Sequence, residues 1–229
     1  MKISSCLSGV GLLALLVPGL LLSQVPPPEV SSAAEAGRVS FLTEVLPPEE
    51  LVNFGFEPGE DVSATLLGDP WPLYTITPGD LKAATAQTPV EDLVTPTGLW
   101  YFPVLLDGRP RCIITVASME GKWEAVGIGK APLAGELAKI DGQWPKKSGY
   151  TPRLVAVYQA TAYFFTVPEL DPGNLTPLTF DGVGFGGYRQ KAGPEYSAPA
   201  ELSELLAPLK ESVEANISAP GTSGEGGEE

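Results

Sequence analysis

Histidine is missing from all 229 residues of this chain, and that absence removes many of the commonest catalytic designs. Serine–histidine and cysteine–histidine nucleophile pairs, zinc sites of the usual histidine-containing kind and histidine-ligated haem are all excluded. Cysteine is nearly missing too, with Cys6 and Cys112 the only two. Basic residues are scarce: 14 Lys and Arg stand against 28 Asp and Glu, a formal charge of −14. A nucleic-acid partner is excluded on that balance, because neutralising phosphates takes a basic surface. Long apolar runs are also lacking. The longest, Val10 to Leu22, is interrupted by Pro18 and falls short of the ~20 residues a membrane-spanning helix needs.

With Lys2 ahead of it, that run has the form of a secretory signal over residues 1–24. The expected location is therefore secreted or periplasmic, in the cell envelope, with membrane contact only transient and through the signal. A cut near Ser23 fits the position of the run, while Ala34-Glu-Ala36 offers the small residues a peptidase favours but lies further away. Cys6 precedes the run and is not placed for lipid attachment. Its removal leaves Cys112 alone, so no intramolecular disulfide forms and stability must come from an ordinary core. A hydrophobic content of 43% allows one.

What is present is organised around Leu99 to Ile140. Leu99–Leu106, Arg111–Ala117 and Lys122–Ile128 are apolar or alternating runs separated by Asp107-Gly108 and Glu120-Gly121. Both pairs end in glycine, which tolerates the positive φ of a two-residue hairpin turn, so the three runs read as a β-meander. Cys112, Ile114 and Val116 share one strand face, with Arg111 and Thr115 on the other, as in a sheet with one buried side. Pro103 removes a ladder donor and points to an edge or a bulge. After the meander, Pro132 suits a first helical turn, and Leu133, Leu137 and Ile140 recur at helical spacing.

Elsewhere, residues 25–38 are proline-rich and then small and polar, which reads as a flexible spacer. Pro47 to Val52 reads as one or two helical turns, Leu73 to Ile76 as a strand, and Thr77 onward as a helix start. Arg153–Gln159, Ala162–Val167 and Leu175–Phe180 carry strand-like content. Leu202, Leu205, Leu206 and Leu209 define a helix face that Pro208 should kink or restart. Residues 216–229 are Gly, Ser, Pro and Glu with almost nothing apolar, a composition expected to stay disordered. No internal repeat is present. The expectation is one α+β domain over residues 39–215, with an antiparallel sheet of about five to six strands centred on the meander and short helices packed on one face.

The candidate chemistry is thin. Asp181–Gly187 is glycine-rich but lacks a phosphate-loop ending and a following helix start. Glu169, Asp171 and Asn174 lack the ligand alternation of a calcium loop. No cofactor and no metal site are expected. A mechanism using two carboxylates survives, as in glycoside hydrolysis, although sequence spacing does not position the acids. Aromatic residues next to proline in loops offer the better surface, because indole and phenol rings combine apolar area with one polar tip. Trp71, Tyr74 and Trp144 are the candidate binding residues. The expected function is that of an exported, non-catalytic domain binding an envelope or extracellular component, whether protein, peptide or glycan, through a sheet edge or an aromatic groove. A histidine-independent hydrolase and a structural or assembly protein are the alternatives.

Overall fold

A computed structural model describes residues 25–170, 173–179 and 202–218. The expected signal, the Asp181–Gly187 loop and the end of the tail lie outside the described residues. The chain forms helix α1 (Pro28–Ser40), which runs on into a π-turn (Phe41–Val45) and then a 3-10 turn (Pro48–Phe54). Next come strands β1 (Leu66–Leu67) and β2 (Trp71–Ile76) and the short helices α2 (Pro78–Ala83) and α3 (Val90–Leu93). The meander follows as β3 (Val94–Leu106), β4 (Arg109–Met119) and β5 (Lys122–Gly129), and leads into α4 (Ala131–Gln143). Strands β6 (Arg153–Val157), β7 (Ala162–Thr166) and β8 (Thr176–Pro177) complete the sheet, and α5 (Leu202–Ser218) closes the described chain.

The fold is α+β, and the meander forms where its turns placed it. Asp107 and Gly108 adopt φ of 51° and 72°, and Glu120 and Gly121 adopt 52° and 82°, the double positive φ of a two-residue hairpin. The sheet is larger than expected, with eight strands in the order β5-β4-β3-β2-β6-β7-β8 and β1 beside β3. It is also mixed, because β2 and β6 pair in parallel. That pair joins segments about eighty residues apart, a register that no local pattern records.

Helices cover both faces of the sheet, not one. Cys112, Ile114 and Val116 of β4 pack with Val30 and Ala34 of α1, while Ile113 between them packs with Leu133, Leu137 and Ile140 of α4. The same alternation in β6 sends Val155 and Val157 toward α5, and Leu154 and Ala156 toward the α4 side. Thus α1 and α5 share one face and α4 takes the other. The strand face expected to be wet is partly covered by α4, and Thr115 is half-buried.

The stretch expected to be a flexible spacer is α1. Pro28 sits in its first turn with Glu29 beside it, both favourable at a helix N-terminus. Val30, Ala34 and Gly37 then recur at helical spacing and are buried. The stripe is built of small residues, so it lacks a strong apolar signal, yet it permits close approach. A Cβ added to Gly37 would lie 2.1 Å from the Ala125 Cβ of β5, so only glycine lets the helix sit this close.

Of the edge or bulge expected at Pro103, the edge is not found: Pro103 is central, and a register shift against β4 falls just beyond it, between Val104 and Leu105. The β3 neighbours on the other side are β1 at Val104 and Leu105 and β2 up to Tyr101, so Pro103 falls in the gap between two partners. Its carbonyl accepts from Gly68 N at 2.7 Å, and there is no strand opposite to miss its N–H. At the C-terminus α5 passes through Pro208 as one helix and continues to Ser218, beyond the expected start of the disordered tail at 216. Leu205, Leu209 and Val213 bury its inner face, which outweighs the bond lost at proline.

Candidate binding surface

The three expected aromatic residues do not meet in a groove. Trp71 and Tyr74 are only 1% and 2% exposed, so both belong to the core. They also lie on opposite faces: Trp71 joins the α4-side cluster and Tyr74 the α5-side cluster. The proline beside Trp71 marks a strand irregularity between Pro72 and Tyr74, not an open loop. Burial raises the Tyr74 phenol above its ordinary pKa against the opposing Arg153, whose guanidinium carbon lies 5.6 Å from the ring centroid. Trp144 is half-buried just past α4 and packs on Phe165 at 5.3 Å between ring centroids.

What the sequence did not mark is the charged group around Trp71. Lys146 Nζ donates to the Pro70 carbonyl at 2.6 Å and stands 4.7 Å over the Trp71 ring, a cation–π contact made in a partly dry setting. Burial lowers its pKa, opposed by Asp69 and Asp141. Burial raises the pKa of Asp141 in turn, with Lys146 opposing and Asp69 adding to the rise. The Asp141 Oδ1 atom is buried without a hydrogen-bond partner. In effect Lys146 pins the Pro145–Gly149 turn to the start of β2. The adjacent Lys146-Lys147 pair was the only trace of this in the sequence.

Two concavities are lined by described residues. One, of about 10 Å³, is bounded by Trp144, Phe165, Leu170 and Asn174, and holds no more than a water. The other, of about 220 Å³, lies between α2 and α5 over Leu81 and Val213. Lys210 at its rim donates to the carbonyls of Lys82 and Ala84 at 3.2 and 2.8 Å, which caps the end of α2. Neither cavity is lined by Asp69 or Asp141. Among the described residues no group of three or more Cys, Asp or Glu is placed to hold a metal ion.

The remaining feature is a strand edge. β5 ends the sheet, pairing only with β4, and among the described residues its backbone makes no bond outside that ladder. A bulge at Val126 divides it, since Ala125 pairs with Val116 and Gly127 with Thr115. Lys122 to Ala125 stays in regular register. α1 lies along this strand, with Gly37 seated against Ala125. Lys122, Glu124 and Val126 are exposed, and Trp123 and Ala125 pack partly under α1. The α1 layer is acidic: Glu29, Glu35, Glu44, Glu49 and Glu50 stand against Arg38, which is itself bonded to Glu35.

No family model, no curated protein and no solved structure matches the chain.

Proposed function

We propose that the protein is an exported, non-catalytic binding domain that accepts an extended segment of a partner polypeptide along the free edge of β5. The observation that carries this reading is that, among the described residues, the β5 edge has no second strand and runs beside a helix. An added strand gains main-chain hydrogen bonds from the edge, and its alternate side chains reach the helix flank, which is where specificity arises in strand-addition binding. The acidic layer beside the edge favours a partner segment with basic and apolar residues in alternation. Export rests on the signal-like residues 1–24, and the partner is accordingly an envelope or extracellular component.

An alternating Lys–Val octapeptide is the probe. Amide hydrogen exchange should slow at those β5 amides that do not bond to β4, and nowhere along β8. Protection of β5 that depends on protein concentration and needs no peptide would instead show edge-to-edge assembly of two copies. Absence of protection in either experiment removes the reading.

A second reading, a carboxylate hydrolase, draws on Asp141, whose raised pKa beside Asp69 is the kind of pairing acid–base chemistry uses. Lys146, bonded to the Pro70 carbonyl over the Trp71 ring, already acts as the cation opposing both acids, which disfavours a substrate there. Hydrolysis of oligosaccharide probes that is lost in Asp141→Asn would revive it.

A further inference from the structure

We propose that the hollow between α2 and α5 binds a small monocarboxylate with a compact apolar body. The site is separate from the β5 edge and does not depend on strand addition there. Its floor is apolar: Leu81 of α2 and Val213 of α5 are 1% and 4% exposed, and Ile217, at 58%, forms the outer wall. The space, about 220 Å³, is roughly fifteen times the least that one water needs. An apolar floor with a few polar groups converging at its rim is the usual form of a small-molecule site.

The rim sets the charge of the ligand. Lys82, Lys210 and Glu214 line it, so cations outnumber carboxylates there, in a chain whose 28 acids stand against 14 bases. Lys210 and Glu214 lie one helical turn apart on α5, a spacing at which opposite charges can pair. They do not pair here. Lys210 reaches across to α2 instead, where its Nζ donates to the carbonyls of Lys82 and Ala84 at 3.2 and 2.8 Å. An ammonium has three donors, so one is left, and neutral carbonyls do not balance its charge. Among the described residues neither Lys210 nor Lys82 has a carboxylate within ion-pair distance. The two bonds thus hold a cation in place at the lip of apolar space, ready to make a charge-assisted hydrogen bond to a carboxylate. The ligand's hydrocarbon part then displaces water from Leu81 and Val213. Glu214 repels a second anionic group, which narrows the class to monocarboxylates.

The test is an amide NMR titration of the full chain with isocaproate, and in parallel with isocaproamide, its neutral counterpart, and leucine, which adds an ammonium beside the carboxylate. Isocaproate should give saturable shifts in α2 and in the Lys210–Ser218 part of α5, and none along β5. Isocaproamide should bind about tenfold more weakly, the scale of a hydrogen bond to a charged group, and leucine should also be weaker. Lys82→Gln and Ile217→Ser, both at exposed positions, should each weaken isocaproate several-fold, while Glu214→Gln should tighten it. Absence of saturable shifts between α2 and α5 overturns the inference. So does isocaproamide or leucine binding as tightly as isocaproate, which would show an apolar hollow without charge selection or a zwitterion site. Binding untouched by both Lys82→Gln and Ile217→Ser places the ligand elsewhere and overturns it as well. None of these results bears on protection of β5 by the Lys–Val octapeptide, so the two proposals fail separately.

Discussion

The two edges of the sheet have been treated differently. β8 is Thr176–Pro177, two residues long, and its proline carries no N–H, so this end offers little to another strand. β5 runs from Lys122 to Gly129 without proline, and its only blunting devices are the bulge at Val126 and the charges of Lys122 and Glu124. An open sheet cannot avoid having ends. Among the described residues one end is short and ends in proline and the other is long and flanked by a tightly packed helix, and the strand-addition proposal rests on that contrast.

The comparison depends first on α1 and β4 forming a true core beneath β5. Ile114 is 0% exposed, and Ile114→Ala should cost about 2–5 kcal/mol, through lost transfer energy and the cavity left behind. Thr115→Ala, on the half-buried alternate face, should cost much less. Denaturant unfolding of both variants checks this, and equal losses would show that the strand does not present two different faces. Cys112 shares the buried face: burial pushes its thiol up to about 12. A thiol reagent at pH 8 should therefore label it only after unfolding.

The contact between α1 and the edge comes next. Gly37→Ala forces a methyl group into the Ala125 side chain and should destabilise by about 1–3 kcal/mol, the usual cost of overpacking. Ala125→Gly in the same chain should recover part of the loss, because it vacates the space the new methyl needs. Failure of that rescue would mean that the helix does not sit on β5 as described, and the flank proposed to meet a partner strand would be lost.

The Lys146 pin sits away from both edges and should leave the comparison untouched. The Asp141 carboxyl is raised above its ordinary pKa by burial. Between its unfolded and folded values the folded state holds more protons, so stability falls as pH rises through that window. Asp141→Asn should flatten this fall, gaining on the parent protein from acid to neutral pH in thermal unfolding. A larger loss at neutral pH than in acid would show instead that ionised Asp141 supports the turn through Lys146.

Legibility in the sequence follows the range of the interactions. The meander and α4 were readable because two glycine-terminated turns and the Leu133, Leu137, Ile140 spacing are local. Thr77 likewise announced α2 and accepts from Asp80 N at 3.1 Å. α1 was not readable, since its contact face is Val, Ala and Gly and its meaning comes from Ala125 far along the chain. Trp71 was placed at the surface because its neighbouring prolines resemble a loop, whereas Pro72 occupies a bulged strand whose partners are distant. The status of β5 as an edge was also hidden, because strand order is a property of the assembled sheet.

The smallest effect on stability belongs to the variant that bears most directly on function. Glu124 is exposed on the regular part of β5, opposite Ala117, with no charged partner across the ladder there. Glu124→Lys should therefore change unfolding free energy by no more than about 0.5 kcal/mol, as for most surface substitutions. Against the Lys–Val octapeptide the result should differ sharply, since a strand paired along β5 brings its side chains beside residue 124, where like charges repel. A several-fold loss of affinity is expected, and a Glu–Val octapeptide should bind the variant better than it binds the parent. Calorimetry with both peptides decides the point. If affinity for the Lys–Val peptide survives Glu124→Lys and vanishes only when salt screens the whole chain, the peptide is held by net charge and not by the edge. In that case the difference between the two ends of the sheet has no bearing on binding.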